Sequence, residues 1–363
     1  MPADTGGIAR IDVQVIEHEL TMPFAIAGGG MDAAYAVITS VELSDGTVGI
    51  GESAPFPAVS GETVESTLAA LREVIAIVGG LDPRARRAAL GGKPVAARLA
   101  EAPAARCGLE QAVLDADLRA AGRSVCDWLP PAVTTIETDI TLPVGPVEQA
   151  MAFVDDVVRR GFRTLKVKVG GRSIEDDVAV LRDVHTTFPA LSLLLDGNAA
   201  YDLDAARRLL ALLAAADVPI AVLEQPLARE ALADSAALQQ QTDAPVCLDE
   251  SLRSPADLDA ILRFPCLRSI NIKTMKLGLA PAVEILRRAG DEGVTCMIGA
   301  MVESNLSLTI SAALAMHRPD VVRHVDLDTA LFMRPGPVVG GIVYDGPVIS
   351  VPGGLVGHGC SLR

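Results

Sequence analysis

Phe162-Arg163-Thr164-Leu165-Lys166-Val167-Lys168-Val169 is the stretch whose reading decides the fold. A strand of a parallel sheet is covered on both faces and reads as a nearly unbroken apolar run, yet this one carries lysines at i and i+2. Alternation along a strand puts both on one face. Burying two ammonium groups is costly unless they are paired or catalytic. Taken alone, a Lys-Val-Lys would fray from a strand end into solvent, so the reading turns on whether other strand ends supply partners.

They do. Downstream, Leu193-Leu194-Leu195 ends in Asp196, Val222-Leu223 in Glu224, Val246-Cys247-Leu248 in Asp249 with Glu250 beside it, and Ile270-Asn271-Ile272 in Lys273. Candidate strands also end near Thr141, Ala300 and Asp326. The ends recur at roughly 24 to 28 residues, the interval that repeated βα units with short loops demand. Helical patterns fill the intervals, at Ile174 to His185, Asp204 to Ala215, Pro255 to Arg263 and Leu279 to Gly290. Eight such units close a (β/α) barrel. A doubly wound open sheet competes, but no glycine-rich phosphate fingerprint follows any strand, and the barrel is preferred.

Before the repeat, Ile8 to Leu20, Tyr35 to Leu43 and Val48 to Glu52 read as an antiparallel meander turned by Ser44-Asp45-Gly46-Thr47. Phe24 to Met31 contains Gly28-Gly29-Gly30, too entropically costly for an element interior, so a loop is expected there, either a lid or a plain connector. Helices are expected at Thr63 to Val78, with capping residues in Ser60-Gly61-Glu62-Thr63, and at Pro94 to Ala100 and Ala104 to Ala121. Trp128-Leu129-Pro130-Pro131 marks the passage into the repeat. After Asp328 the chain turns Gly- and Pro-rich and is expected to run back onto the N-terminal domain. The division is therefore an α+β domain over 1–125, a barrel over 126–328 and a returning segment over 329–363.

Composition sets the outer bounds. The 363 residues are 50% hydrophobic but 3% aromatic, so the core must be built from Ala, Leu, Val and Ile. A formal charge of −15 repels nucleic acid and anionic membranes, and neither is expected as a partner. The six cysteines show no CxxC and read as reduced core residues, and no signal peptide or spanning stretch is visible, so a cytoplasmic protein is expected.

The polar strand ends carry the chemistry, because barrel active sites sit at the C-terminal ends of the strands. Asp196, Glu224 and Asp249 on one mouth repel one another and raise each other's pKa. Oxygen-only ligands with open positions fit Mg²⁺. Any one of these acids alone would read as a helix cap or a solvated loop residue; three at consecutive strand ends, flanked by lysines, do not. A carboxylate held by Mg²⁺ has an acidified α-proton, and lysines on opposite sides can remove it from one face and return it to the other. Inversion at the α-carbon would result. On the eighth strand, Asp326 and Asp328 lie at i and i+2 on one face and call for a cation, for which a substrate ammonium is a natural candidate.

The ordered set KxK, Asp, Glu, Asp-Glu, Lys, behind a small α+β domain and ahead of a returning segment, resembles the enolase superfamily in its muconate-lactonizing-enzyme subgroup. The resemblance implies an α/β fold, a (β/α)7β TIM-like barrel with an N-terminal α+β capping domain. It implies that Asp196, Glu224 and Asp249 bind Mg²⁺, that Lys168 and Lys273 are the acid/base pair, and that Lys166 assists Lys168. The Gly28 to Gly30 and Pro55 to Gly61 loops would close over substrate. The Asp-x-Asp of Asp326 and Asp328 resembles the dipeptide epimerases, in which it holds the free amino terminus. Substrate contacts are then expected from Asp326, Asp328, Thr141, Lys166, Ala300 and Val302, and a homo-oligomer is expected. Ala-Glu epimerases carry an arginine in the first loop, whereas Ala25 to Met31 is uncharged, which points to an apolar or otherwise different second residue. The expected activity is a Mg²⁺-dependent epimerisation of L-dipeptides; N-acylamino-acid racemase, o-succinylbenzoate synthase and muconate-type cycloisomerase are the alternatives within the fold, and a non-catalytic binder of metal-chelated acids is the alternative outside it.

Overall fold

A computed structural model describes residues 6–26, 29–143 and 147–363. β1 (Ile8–Ile26), β2 (Gly29–Leu43) and β3 (Val48–Ser53) form an antiparallel sheet in that order. Its second turn is set locally: the Asp45 carboxylate accepts from the Thr47 N–H at 2.9 Å and Gly46 takes φ +86°. The first turn departs from expectation. Phe24 pairs with Met31, Ala25 with Gly30 and Ile26 with Gly29, so the strands run on through the stretch read as a loop. Strand pairing on one side offsets the entropy that made a glycine run look unfit for a strand. The Gly28 lid position itself, and the uncharged side chains of 25–31, lie outside the described residues.

The helix Val64–Gly79 starts where the capping residues placed it, with Thr63 and Ser66 exchanging backbone and side-chain hydrogen bonds at 3.1 and 2.9 Å. Pro83–Leu90 is a helix without a buried residue, and so without the apolar periodicity that would have announced it. Pro103–Ala120 is buried nearly all round because it lies between the sheet and the barrel. It packs flush on β3: a Cβ at Gly51 would stand 2.0 Å from the Gly108 carbonyl, and one at Gly49 2.1 Å from the Ala116 nitrogen.

β4 (Thr135–Glu137) precedes the barrel. The barrel strands follow in sequential order: β5 (Ile140–Leu142), β6 (Thr164–Lys168), β7 (Ser192–Asp196), β8 (Val222–Glu224), β9 (Val246–Leu248), β10 (Ser269–Ile272), β11 (Thr295–Gly299) and β12 (Val322–Asp326). Each ends within a residue of its expected end. The gap between β12 and β5 is stitched by the Asp139 N–H to the Val325 carbonyl at 2.9 Å and the Leu327 N–H to Thr138 Oγ1 at 2.9 Å. This nearly closed ring replaces the open-sheet alternative.

β13 (Val338–Gly340), β14 (Val343–Asp345), β15 (Val348–Ser350) and β16 (Cys360–Leu362) make up the last segment. β15 pairs with β4 and β14, and β13 with β16, instead of extending the N-terminal sheet. Contact with that domain comes through the bridges Leu20–Met333 and Ser124–Gly357 and through Arg119 donating to the Cys360 carbonyl at 2.7 Å. All six cysteines are unpaired, four of them buried. Among the described residues, no helix is long and apolar enough to cross a membrane.

Candidate active site

Eight sequential strands in a ring put the second and the sixth, β6 and β10, on opposite sides of the mouth. Lys168 ends β6 and Lys273 follows β10, and both line one pocket. Its other walls are Thr141, Lys166, Asn198, Asp326, Asp328 and Thr329, with an apolar arc of Phe56, Val59, Ala300, Met301 and Val302. Phe56 and Val59 come from the capping domain. That domain is held down by Glu52, whose carboxylate accepts from the Ser304 N–H at 3.0 Å and Ser304 Oγ at 2.7 Å, and by Arg253, which donates to the Val59 carbonyl at 2.9 Å.

Lys166 is 1% exposed and is tolerated there because three carboxylates meet it: Nζ lies 2.6 Å from Asp326, 2.8 Å from Glu224 and 3.0 Å from Asp196. Burial pulls its pKa down, but Asp196, Asp326 and Glu224 outweigh burial and hold it well above the usual lysine value. Lys168 Nζ sits 2.5 Å from Asp196 Oδ2 and 3.1 Å from Asn198 Oδ1. Lys273 Nζ sits 2.9 Å from Asp249 Oδ2; burial pulls its pKa down, but Asp249, Glu224 and Asp326 together outweigh burial and hold it well above the usual lysine value.

The three expected metal ligands are fully buried at adjacent strand ends. Burial pushes the Asp196 carboxyl up, and Lys166, Lys168 and Lys273 together carry it below the usual range; Lys273 and Lys276 do the same for Asp249. Glu224 goes the other way, raised first by burial and then by Asp196. Its Oε1 accepts from Asn271 Nδ2 at 2.7 Å, while its Oε2 and Asp249 Oδ2 have no hydrogen-bond partner, only the nearby ammonium charges. An all-oxygen donor set with orphaned oxygens, in a site where acids outnumber lysines, fits a hard divalent cation. Lysines now stand between these acids, and their oxygens are not drawn together as tightly as those of a second group. Asp139, Asp326 and Asp328 present oxygens within 4.8 Å of one another and could hold a cation.

In that group, Asp328 Oδ2 accepts from the Thr141 N–H at 2.6 Å. Its pKa is pushed up to about 7, by burial first and then by Asp326. Every residue expected at the site by sequence is therefore at the mouth, and Thr141, Lys166, Lys168, Lys273, Ala300, Val302, Asp326 and Asp328 share the pocket. Sequence reading passed over Thr329 of the pocket wall and four residues that hold the charged groups in place. Asn198, at φ 40°, bridges Lys168 to Glu250, donating to the latter at 3.2 Å. Asn271 holds Glu224. Lys276 clamps Asp249 with a 2.5 Å contact to Oδ1 and donates to the Asn271 carbonyl at 3.0 Å. Asp139 completes the acidic trio. Asn271 and Asp139 lie two residues before Lys273 and Thr141, so the same alternation that paired Lys166 with Lys168 could have found them.

A capped (β/α) barrel with acids and opposed lysines at its mouth defines an enolase-type protein, and comparison with known proteins gives the particular branch. Residues 149–363 match the enolase C-terminal domain-like family and residues 10–129 the mandelate racemase / muconate lactonizing enzyme N-terminal domain. The chain belongs to the mandelate racemase / muconate lactonizing enzyme family of the enolase superfamily. It is 38% identical to an aromatic dipeptide epimerase of Herpetosiphon aurantiacus, over 98% of this chain and 99% of that one. It is 30% identical to the L-Ala-D/L-Glu epimerase of Bacillus subtilis, over 96% and 97%. A dipeptide epimerase from Enterococcus faecalis V583, solved with Mg and the dipeptide L-Leu-L-Tyr, superposes with a TM-score of 0.88 at 28% identity, covering 98% of this chain and 99% of that one.

Proposed function

We propose that this protein is a Mg²⁺-dependent epimerase of L-dipeptides that inverts the α-carbon of the C-terminal residue by 1,1-proton transfer. The observation that carries the proposal is the shared pocket: Lys168 and Lys273 reach it from opposite barrel strands, and Asp326 and Asp328 line the same space. Relatives named as dipeptide epimerases, one of them solved with Mg and a dipeptide, support it.

Asp196, Glu224 and Asp249 would hold Mg²⁺, which would supply stabilisation for negative charge developing on the substrate carboxylate. Asp326 and Asp328 receive the dipeptide ammonium, which fixes the distance from the amino terminus to the reacting carbon. One of Lys168 and Lys273 removes the α-proton and the other delivers a proton to the opposite face. Lys166 assists from below, its ammonium pairing with Asp196 at 3.0 Å and Asp326 at 2.6 Å and so fixing where both carboxylates point. Thr141, Ala300 and Val302 complete the walls. An acylated substrate has no ammonium for Asp326 and Asp328, which sets the N-acylamino-acid reading aside.

The second residue of the dipeptide is apolar or aromatic. Phe56, Val59, Met301 and Val302 offer it hydrocarbon, and the lysines and acids of the wall are already assigned to the backbone groups. The test is chiral chromatography of an L-Ala-L-Xaa and L-Leu-L-Xaa library incubated with enzyme and Mg²⁺. L,D-products from apolar second residues, lost on chelation, are expected; a library left unchanged would refute the assignment.

A further inference from the structure

We infer that Asp139 is a positioning residue of the ammonium site, a buried carboxylic acid that shares its proton with the Asp326–Asp328 pair. The inference rests on the dipeptide reading above and deepens it.

Asp139 is 3% exposed, precedes β5 and lies on the face of Thr141 two residues on. It does not line the pocket, whereas Asp326 and Asp328 do. It therefore acts through them and not on substrate. Neither of its side-chain oxygens has a hydrogen-bond partner, and one oxygen of Asp328, Oδ1, is also without one. Its backbone N–H is anchored to the Val325 carbonyl at 2.9 Å, which ties the residue to the strand that presents Asp326.

Three carboxyl groups with oxygens within 4.8 Å of one another cannot all ionise around one ammonium, and Lys166 contacts only Asp326 among them. One must keep a proton. Asp139 is the member without any donor directed at it: Asp326 has Lys166 and Asp328 has the Thr141 N–H. Burial first, then Asp326 and Asp328, hold its pKa well above the usual carboxylate range. A neutral Asp139 has one O–H to give, and the open Oδ1 of Asp328 is the acceptor within the cluster. The bond fixes the angle at which Asp328 meets the ammonium. No covalent bond changes and no external cation is required.

The mutational test uses Asp139→Asn, a neutral donor of similar shape, against Asp139→Val, which has no donor. The substrate is an apolar dipeptide that the wild type turns over in the presence of Mg²⁺. Asparagine is expected to keep KM within about threefold of wild type, while valine, by leaving a buried acceptor unpaired, raises KM roughly tenfold with a smaller change in kcat. Infrared difference spectra of wild type minus Asp139→Asn, at mildly alkaline pH and without substrate, are expected to show a carboxylic-acid C=O band. An ionised-carboxylate band in its place, or asparagine as damaging as valine, would overturn the inference. Absence of turnover by the wild type on any dipeptide would defeat the functional reading instead, and the infrared result stands independently of it. If the valine variant does not fold, the asparagine kinetics and the spectrum still decide.

Discussion

The acids at the ends of β7, β8 and β9 and the acids at the seam between β12 and β5 occupy the same mouth but are neutralised differently. Asp196 and Asp249 each face two lysine ammonium groups at 3.0 Å or less, and Glu224 shares Lys166. Among the described residues, Asp139, Asp326 and Asp328 together have only Lys166, on Asp326. The first group has its charge matched by lysine side chains. The second has an uncompensated charge facing the pocket, which suits a monocation that arrives with the substrate. On the proposed function, position along one ring of strands separates a metal role from a recognition role, though both use the same residue types.

The largest expected effect tests the lysines that face both groups. Lys273→Ala should lower the rate of inversion by roughly 10³-fold or more, the contribution of a positioned acid/base group, as measured by chiral product analysis. Removing charge from the seam should act on binding instead. Asp326→Asn with Asp328→Asn is expected to raise KM about 30-fold or more, since losing the partner of a buried charge costs about 2–5 kcal/mol, with kcat affected less. If kcat falls and KM holds, the seam does not bind the ammonium.

The pH profile sharpens the same contrast. Asp328 is an acid raised to about 7, so it is neutral below that pH and anionic above it. Because kcat/KM reports the free enzyme, it should fall as pH drops through about 7, and Asp328→Asn should remove that limb. The smallest kinetic effect belongs to the cap. Gly51→Ala drives a Cβ into the Gly108 carbonyl, and should cost about 1–3 kcal/mol of stability by overpacking, seen as a lower urea midpoint, with kcat within about twofold of wild type.

How much of this could be read in the sequence follows from which signals are local. The barrel strands were legible to within a residue because each apolar run ends in an abrupt polar side chain, as Leu193-Leu194-Leu195-Asp196 does. The positions proposed for metal and proton transfer were read from the same strand ends, since barrel chemistry sits there. The tip of the β1–β2 hairpin was not legible, because Gly29 and Gly30 read as loop by propensity and only the register with Ala25 and Ile26 makes them strand. Nor was the pairing of β15 with β4, whose partners lie more than 200 residues apart. Lys276 escaped because it sits a turn after Lys273 in a short helix, where a lysine ordinarily faces water; its burial is set by Asp249, from another strand. Asn271 and Asp139 were within reach of the alternation rule, but an asparagine or aspartate near a strand end carries no signal until its partners are known.

The most direct measurement of the two-lysine claim is deuterium uptake from D₂O at the α-carbon, followed by mass spectrometry for each epimer of one apolar dipeptide with Mg²⁺, in Lys168→Ala and Lys273→Ala separately. Each variant should exchange only the epimer whose α-proton faces the lysine that remains, without inverting it, and the two variants should show opposite preferences. Inversion at the wild-type rate by either variant, or the same epimer exchanged by both, would contradict lysines acting from opposite faces.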